Sequence, residues 1–262
     1  MIWAFFQNHL ESMILSPAYT YPDQVAVALR QHGYAVLSAQ GSCELALCRA
    51  DELATLAKSW ADLPPDTHLK DGGRYRRRRH ACFVIDQDSV QLAPHRAHWQ
   101  PIEYNALHGG MQRWFEPILP QTMALPAWNK LLRALAAQSS ALRGPQPWYV
   151  EAHQFRIDTE GGIGRPTPEG AHRDGVDLVA VFLVDRHAIK GGETRVFEAQ
   201  GTRGERFTLM QPWSLILLDD ERVIHESTPI QPVSPQAEGD AWRDTLVVTC
   251  RASGFQGETQ AR

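Results

Sequence analysis

Residues 171–185, with the sequence AHRDGVDLVAVFLVD, decide the fold of this chain. The part from Asp177 to Asp185 is continuously apolar between its acidic ends, a pattern typical of a β-strand that is buried on both faces. Just before it, His172 and Asp174 stand two residues apart, and alternate side chains of an extended segment point the same way. The stretch therefore predicts a buried strand with two polar side chains aimed at one point near its start.

Further runs with strand composition lie on both sides of this stretch, separated by Gly- and Pro-rich turns such as Gly191-Gly192. Their ranges are 148–158, 193–199, 206–210, 214–218 and 244–250. About seven short strands with turn signals between them are typical of an all-β sandwich or barrel. We therefore expect a mainly β fold with flanking helices.

The helical patterns are confined to the N-terminal half. Residues 22–32 begin with Pro22 and are followed by Gly33, a usual start and stop for a helix. Two longer stretches, 44–60 and 122–142, also have helical spacing, although Pro126 must begin or break the second. A short strand is expected at residues 34–37. We expect the helices to pack outside the barrel.

His172, Asp174 and His225 form a candidate metal site. Two imidazoles and one carboxylate can hold Fe(II) on one face and leave the opposite positions open for a co-substrate and O₂. Zinc accepts the same donors, but the HExxH helix of zinc proteases is absent. A buried histidine beside an aspartate that caps a turn is the structural alternative. Residues 219–221 are interpreted as a turn, or as acceptors for the ring N–H of His225.

These segments together resemble a known enzyme family. The motifs that carry the likeness are HQFR at 153–156, HRD at 172–174, GGET at 191–194, His225, RD at 243–244 and the segment 104–117. Their order resembles the double-stranded β-helix (jelly roll, cupin-like) of Fe(II)/2-oxoglutarate dioxygenases. More narrowly, it resembles the bacterial family that includes free L-amino-acid hydroxylases such as isoleucine hydroxylase. The resemblance spans about residues 30–255.

The resemblance implies Fe(II), 2-oxoglutarate and O₂, with His172, Asp174 and His225 as the metal ligands. Related enzymes bind the far carboxylate of 2-oxoglutarate with an arginine at the start of the last barrel strand, which favours Arg243 over Arg251. The two arginines are eight residues apart, or about 26 Å along a strand, so they cannot bind the same carboxylate. Two further co-substrate candidates carry hydroxyl groups: Thr194 and Thr245.

The resemblance also suggests substrate contacts. In residues 153–156 the side chains alternate, so one pair faces the lumen and the other faces outward. We expect the lumen pair to be the second and fourth residues of that motif. With two polar residues that flank a Gly-Gly pair upstream, the substrate candidates are Gln154, Arg156, Asn105 and Arg113.

The run from Arg74 to Arg79 is the sharpest concentration of charge. In a strand, at most half of it could enter one pocket. Three interpretations stay open: a solvated basic strand, a nucleic-acid patch, or one arginine that pairs with a substrate carboxylate.

Composition limits the alternatives. The chain has 262 residues, a net charge of −4 and four cysteines in no zinc pattern, which gives no reason to expect a nucleic-acid partner or a disulfide scaffold. We expect a cytoplasmic protein with no membrane span. Residues 1–262 are interpreted as one domain: an extension (1–20, with Met13 as an alternative start), a helical support with sheet additions (21–145) and the metal-binding core (146–255). The sequence leaves the oligomeric state open, a homodimer included.

The sequence thus predicts a dioxygenase that hydroxylates or sulfoxidises a small molecule, with a free L-amino acid as the leading class. Two alternatives remain at this stage. One is a barrel that binds a ligand without catalysis, and the other is an oxygenase that acts on a macromolecule.

Overall fold

The strand that contains the apolar run lies inside a large antiparallel sheet. The computed structural model describes residues 15–257. Within them the strands are β1 (Tyr34–Leu37), β2 (Arg76–Asp86), β3 (Ser89–Leu92), β4 (Trp148–Asp158), β5 (Leu178–His187), β6 (Ile189–Gly191), β7 (Thr194–Glu198), β8 (Gly204–Phe207), β9 (Leu215–Asp219), β10 (Val223–Ser227), β11 (Ile230–Pro232) and β12 (Trp242–Arg251).

The strands form one large sheet and a smaller layer that faces it. The large sheet has the order β1-β9-β5-β12-β4-β2-β3, and the smaller layer consists of β10-β7-β8 and the pair β11-β6. Val179 and Ile216 of the large sheet pack against Val196, Phe207 and other apolar residues of the smaller layer. The sequence expectation of a mainly β jelly roll is confirmed by this arrangement.

Helices cover the other face of the large sheet. They are α1 (Val25–His32), α2 (Ala39–Ala46), α3 (Ala50–Ala57), α4 (Pro120–Met123) and α5 (Pro126–Arg143). Leu178, Ala180 and Phe182 of β5 pack on this helical side, within the same core as Trp128 and Leu131 of α5. Strand β5 is therefore buried on both faces, as its uninterrupted apolar run predicts.

One of the helix expectations is wrong, and the alternative left open at Pro126 is decided. Residues 44–60 do not form one helix: α2 ends before Leu47, which adopts a left-handed conformation with φ +52°, and α3 begins at Ala50. Pro126 starts α5 rather than interrupting a longer helix, because proline fits the first helical turn, where no amide partner is needed.

The N-terminal half contributes more to the sheet than expected. Strand β2 pairs with β4 from Arg76, opposite Ile157, to Ile85, opposite Trp148. The arginine-rich run thus continues directly into a strand of the large sheet. No helix in residues 15–257 is long and apolar enough to cross a bilayer. The choice between Met1 and Met13 concerns residues outside the described range.

Trp60 fastens the helical layer to the sheet. Its side chain is 1% exposed, and its indole N–H donates to the carbonyl oxygens of Phe155 (3.1 Å) and Thr245 (3.2 Å) on adjacent strands. Its ring meets Trp213 edge to face, with centroids 6.2 Å apart.

We expect Trp60→Ala to lower the free energy of unfolding by about 3–5 kcal/mol, because it removes a large buried ring and leaves a cavity. Urea denaturation of the purified variant measures this loss. The matched control is Trp114→Ala, since Trp114 is 56% exposed and its loss should change stability by less than about 0.5 kcal/mol. Equal effects of the two substitutions would contradict this role for Trp60.

Candidate active site

The two candidate metal-binding histidines are joined through their backbones. His172 N–H donates to His225 O (3.1 Å) and His225 N–H donates to His172 O (2.9 Å), an isolated antiparallel bridge between the loop before β5 and strand β10. The ring of His172 is oriented by its Nδ1, which lies 2.9 Å from Gly170 O. This leaves Nε2 of His172 on the side that faces Asp174.

Asp174 completes the group. Its Oδ1 lies 3.8 Å from His172 Nε2 and its Oδ2 lies 3.8 Å from His225 Nε2, and the three ligand atoms lie within 4.8 Å of one another. The carboxylate also accepts a hydrogen bond from Gln100 Nε2 at 3.0 Å. The three residues predicted from the HxD motif and the distal histidine are therefore brought together.

The reason they come together differs from the expectation. Of the two residues of the HxD motif, only His172 lies in a β-bridge. Asp174 sits in the turn that follows. That turn is held by Asp220, whose carboxylate accepts three successive backbone N–H groups, from Asp174 (2.9 Å), Gly175 (2.7 Å) and Val176 (3.1 Å). The loop geometry thus comes from a side chain on a neighbouring turn, rather than from strand alternation.

Residues 219–221 were interpreted as a turn or as acceptors for His225, and only the turn is correct. Asp219 pairs with Arg143, as does the exposed Glu221. Among the described residues, none accepts a hydrogen bond from the buried Nδ1 of His225.

The electrostatics of the triad follow from burial and from close carboxylates. Burial, together with the charge of Asp174, raises the pKa of Asp220 to about 6, although its three amide partners oppose the shift. Burial lowers the pKa of His172, but the carboxylates of Asp174 and Glu169 outweigh it and raise the pKa above its usual value. Burial and His172 lower the pKa of His225, which favours the neutral ring that a metal needs.

The triad opens into a cavity whose opposite wall is the inner face of β2, β4 and β12. Side chains of alternate residues line it: Arg76 and Arg78 from β2, Glu151, His153, Phe155 and Ile157 from β4, and Arg243, Thr245, Val247 and Thr249 from β12. The strand register places Arg78 opposite Phe155, and Phe155 opposite Thr245. The cavity therefore has charged groups and an apolar strip on one continuous surface.

Two arginines of the basic run enter this cavity. Arg76 is 5% exposed and bonds Asp66 at 2.7 Å, and Arg78 is 3% exposed and lies 3.7 Å from the same carboxylate. Arg77 and Arg79 point to the other face. Both guanidinium groups are buried, so the interpretation of the run as a solvated basic strand is wrong for these two residues.

A second cluster joins the wall: His80, His98 and His153 surround the carboxylate of Glu151. The Oε2 atom of Glu151 lies 2.9 Å from His80 Nε2 and 2.7 Å from His98 Nδ1. Burial lowers the pKa of His98 to about 4, so this ring is neutral at pH 7 and donates to the carboxylate.

This cluster has metal-binding residue types, but its hydrogen bonds favour a proton network. An Nη2 atom of Arg78 lies 2.7 Å from His153 Nδ1. Arginine can only donate, so His153 accepts at Nδ1 and carries its proton on Nε2. A metal would need that Nε2 lone pair. We therefore interpret the cluster as a network that keeps Glu151 ionised and in place.

Arg243 has the features of an anion-binding residue. It is 4% exposed and lines the cavity, and no carboxylate of the described residues lies within ion-pair distance of it. Burial and the nearby Arg186 lower its pKa to about 10, which keeps it cationic at neutral pH. Gly192 lies against it: a Cβ there would be 3.4 Å from Arg243 Cδ.

Of the other co-substrate candidates, one lines the cavity and two do not. Thr245 lies beside Arg243 in the cavity wall, whereas Thr194 is buried and is not part of that wall. Arg251 donates to Gly254 O at 2.7 Å and is also absent from the cavity lining.

The four substrate candidates are divided too. Arg113 and Asn105 line the cavity and both donate to Gln100 Oε1 at 3.1 Å. Gln154 and Arg156 face the opposite way, so the expectation that this pair faces the lumen is wrong. Gln154 donates to Ser59, and Arg156 forms a two-fold hydrogen bond with Asp244. The inward pair is His153 and Phe155, the other phase of the same alternation.

Sequence reasoning missed three residues of the site, Gln100, Glu151 and Glu169, and it did not find the role of Asp220 in holding the Asp174 turn. Glu151 could have been found by extending the inward phase of β4 by two residues. Gln100 lies in an irregular loop and Asp220 in a turn, so no periodic pattern marks either of them.

Comparisons with known proteins agree with this geometry. The family model described as 2OG-Fe dioxygenase matches residues 57–249. A search of curated protein sequences gave no significant match.

Solved structures with the same fold are known. The crystal structure of a bsmA homolog from Methylobium petroleophilum PM1 is 51% identical, with a TM-score of 0.87, and the match covers 93% of this chain and 98% of that one. IDO from Bacillus thuringiensis is 18% identical over 88% of this chain and 99% of its own, with a TM-score of 0.72. The Fe(II)/α-ketoglutarate-dependent dioxygenase TqaL is 17% identical over 90% and 88%, with a TM-score of 0.64.

We expect Asp220→Asn to weaken metal binding by about 10–100-fold, because the amide offers one acceptor oxygen to three backbone N–H groups and the turn that carries Asp174 loosens. Anaerobic calorimetric titration with Fe(II) measures the change. Asp240→Asn, at an exposed position, is the matched control and should bind Fe(II) like the unmodified chain. Unchanged affinity in Asp220→Asn would show that the turn holds its shape without the carboxylate.

Proposed function

This chain belongs to the 2OG-Fe dioxygenase family and is an oxygenase that uses Fe(II), 2-oxoglutarate and O₂, and we propose that it hydroxylates or sulfoxidises a free L-amino acid. The observation that carries the substrate class is the part of the cavity lining beside the triad. It places the buried guanidinium of Arg113 two hydrogen bonds away from the carboxylate of Asp174, through Gln100. A small carboxylate-bearing molecule fits such a lining.

We propose that His172, Asp174 and His225 hold the Fe(II). The donor set suits this ion, since two imidazoles and one carboxylate on one side leave the cavity side open. When bound, Fe(II) and 2-oxoglutarate together activate O₂, so that one oxygen atom enters the substrate and the other enters succinate, with release of CO₂. Asp220 fixes the turn that bears Asp174, and Gln100 orients the Asp174 carboxylate through Oδ1.

We propose that Arg243 binds the far carboxylate of 2-oxoglutarate, with Thr245 as a hydroxyl partner. The support is a buried cation on the cavity wall for which the described residues offer no carboxylate. A guanidinium binds a carboxylate through two parallel hydrogen bonds and fixes its orientation. Thr194 has no comparable support, because it lies outside the wall.

We propose that Arg113 receives the substrate carboxylate, with Arg78 nearby. Arg113 is 2% exposed, and its Nε is buried without a hydrogen-bond partner in the described residues. Arg78 likewise has a buried Nε without a partner. A buried donor without an acceptor is unfavourable, and a bound carboxylate would satisfy both. Asn105 acts through Gln100 and through its bond to the His108 amide (2.7 Å), so its role is to position the loop.

The cellular setting we propose is a reducing one, such as the cytoplasm. None of the four cysteines, all of which lie within the described residues, forms a disulfide. Burial raises the pKa of Cys250 to about 12, which keeps this thiol protonated and unreactive.

A panel of proteinogenic L-amino acids tests the proposed substrate class. With Fe(II), 2-oxoglutarate and O₂, we expect an aliphatic or sulfur-containing amino acid to stimulate succinate release and to yield a product heavier by one oxygen atom, detected by mass spectrometry. His172→Ala, which removes a proposed ligand, should give no product. Succinate release that responds only to a protein or a nucleic acid would contradict the proposal.

For the co-substrate site, we expect Arg243→Ala to raise the KM for 2-oxoglutarate by about 100-fold, because a buried charge pair is lost. Arg251→Ala is the matched control and should leave this KM within about two-fold of the original value, since Arg251 lies outside the cavity wall. Steady-state kinetics at saturating amino acid give both values. The reverse pattern would assign the co-substrate to Arg251.

A further inference from the structure

Glu169 is a carboxylate on the cavity wall with no protein cation assigned to it. It lies three residues before His172, and its side chain is 11% exposed. Its Oε2 atom is buried and has no hydrogen-bond partner in the described residues. Its Oε1 atom lies 3.6 Å from His172 Nε2, the nitrogen that the proposed metal would use. With that nitrogen on the metal, neither oxygen would keep a charged protein partner.

The other carboxylates in or next to the cavity already have partners or a proposed role. Asp66 pairs with Arg76 and Arg78. Glu151 accepts from two imidazoles, and Asp174 belongs to the metal triad. Glu169 is thus the one acid around the cavity, among the described residues, whose counter-charge must come from a bound molecule.

Among the cations of the cavity, Arg113 likewise has no ion-pair partner in the described residues. Its hydrogen-bond partner is the neutral amide of Gln100, and Arg243 is assigned to 2-oxoglutarate. The charges of Asp66 and then Glu169 oppose the burial and the Arg76 charge that lower the pKa of Arg113 to about 10. The charges of Glu169 and Arg113 therefore act on each other across one cavity. One unpaired anion and one unpaired cation are complementary to a zwitterion.

We propose that Glu169 receives the α-ammonium group of the amino-acid substrate, opposite the carboxylate held by Arg113. This inference rests on the proposed function and deepens it, because it identifies the residue that distinguishes an amino acid from other small carboxylates. An ammonium group carries a positive charge and three N–H donors. With His172 on the metal, the protein supplies neither to the two oxygens of Glu169.

An alternative role for Glu169 is as a fourth metal ligand. Its oxygens are not part of the group of atoms that lie within 4.8 Å of one another in the triad. The side chain therefore lies beside the centre, near enough to contact a molecule that approaches the metal. Metal affinity separates these two roles.

The test compares Glu169→Gln with the unmodified enzyme, loaded anaerobically with Fe(II) and 2-oxoglutarate. The probes are L-methionine, L-leucine and L-isoleucine, each with the analogue in which a hydroxyl replaces the amino group. Calorimetric titration gives the Kd of each. For the amino acids that the unmodified enzyme binds, we expect Glu169→Gln to raise Kd by about 30-fold or more. Binding of the hydroxy acids should change by less than about three-fold, because they have no ammonium group to lose a partner.

Two controls isolate the charge at this position. Glu160→Gln removes the same charge from an exposed position on the same loop and should leave every Kd unchanged. The melting temperature of Fe(II)-loaded Glu169→Gln should equal or exceed that of the Fe(II)-loaded unmodified protein, since with His172 on the metal an uncompensated buried charge is removed. This second measurement does not depend on activity.

Several results would overturn the inference. Loss of Fe(II) affinity in Glu169→Gln would make Glu169 a metal ligand, and an equal loss for amino and hydroxy acids would make its role general to the cavity. A selective loss in Glu151→Gln instead would move the ammonium site to that residue. If the unmodified, loaded enzyme binds none of the amino acids, the substrate class itself fails, whereas amino-acid binding that Glu169→Gln leaves intact overturns the role of Glu169 alone.

Discussion

The arrangement of the candidate metal site depends on one carboxylate that does not face the metal. Asp220 accepts the backbone N–H groups of Asp174, Gly175 and Val176, and this fixes a turn that strand pairing does not reach. Hydrogen bonds to a charged acceptor contribute about 1.5–3 kcal/mol each, which offsets part of the cost of burying the carboxylate. On the other side, the reciprocal backbone bonds of His172 and His225 hold the two imidazoles together. The triad is therefore positioned by main-chain constraints.

The wall that faces the triad is set by strand register. Strand β4 lies between β2 and β12, so the inward phases of the three strands come into rows across the sheet. One row joins Arg78, Phe155 and Thr245, and the next joins His80, His153 and Val247. A shift of one residue would exchange the inward and outward sets. Charge selectivity in this cavity thus depends on the same pairing that gives the sheet its core.

Much of this could be predicted from the sequence, for reasons that particular residues make clear. The apolar run of β5 predicts burial on both faces, and its position after the HxD motif predicts two of the triad residues. The distal His225 and Arg243 follow from motif order. The sequence does not show which alternate pair of residues 153–156 faces the cavity. Each pair contains side chains that are suited to either side of the strand. Asp220 and Gln100 act from irregular segments, where a side chain's partner depends on tertiary contacts.

The basic run illustrates the same limit. Alternation correctly restricts the residues that can share a face, but it does not say whether the inward face meets solvent, nucleic acid or a cavity. In the structure, the pairing of β2 with β4 turns this face toward the cavity, and Asp66 compensates the charges of Arg76 and Arg78 inside the protein. A buried arginine needs such a partner, and the sequence does not mark it.

We propose that His172, Asp174 and His225 hold Fe(II) beside a 2-oxoglutarate anchored by Arg243. An anaerobic titration of metal-free protein with Fe(II) and then 2-oxoglutarate, followed by visible absorption, tests this arrangement. We expect the iron-to-keto charge-transfer band in the unmodified protein and its absence in His172→Ala. A well-folded protein that shows no band, or a band that persists in His172→Ala, would contradict the assignment of this triad.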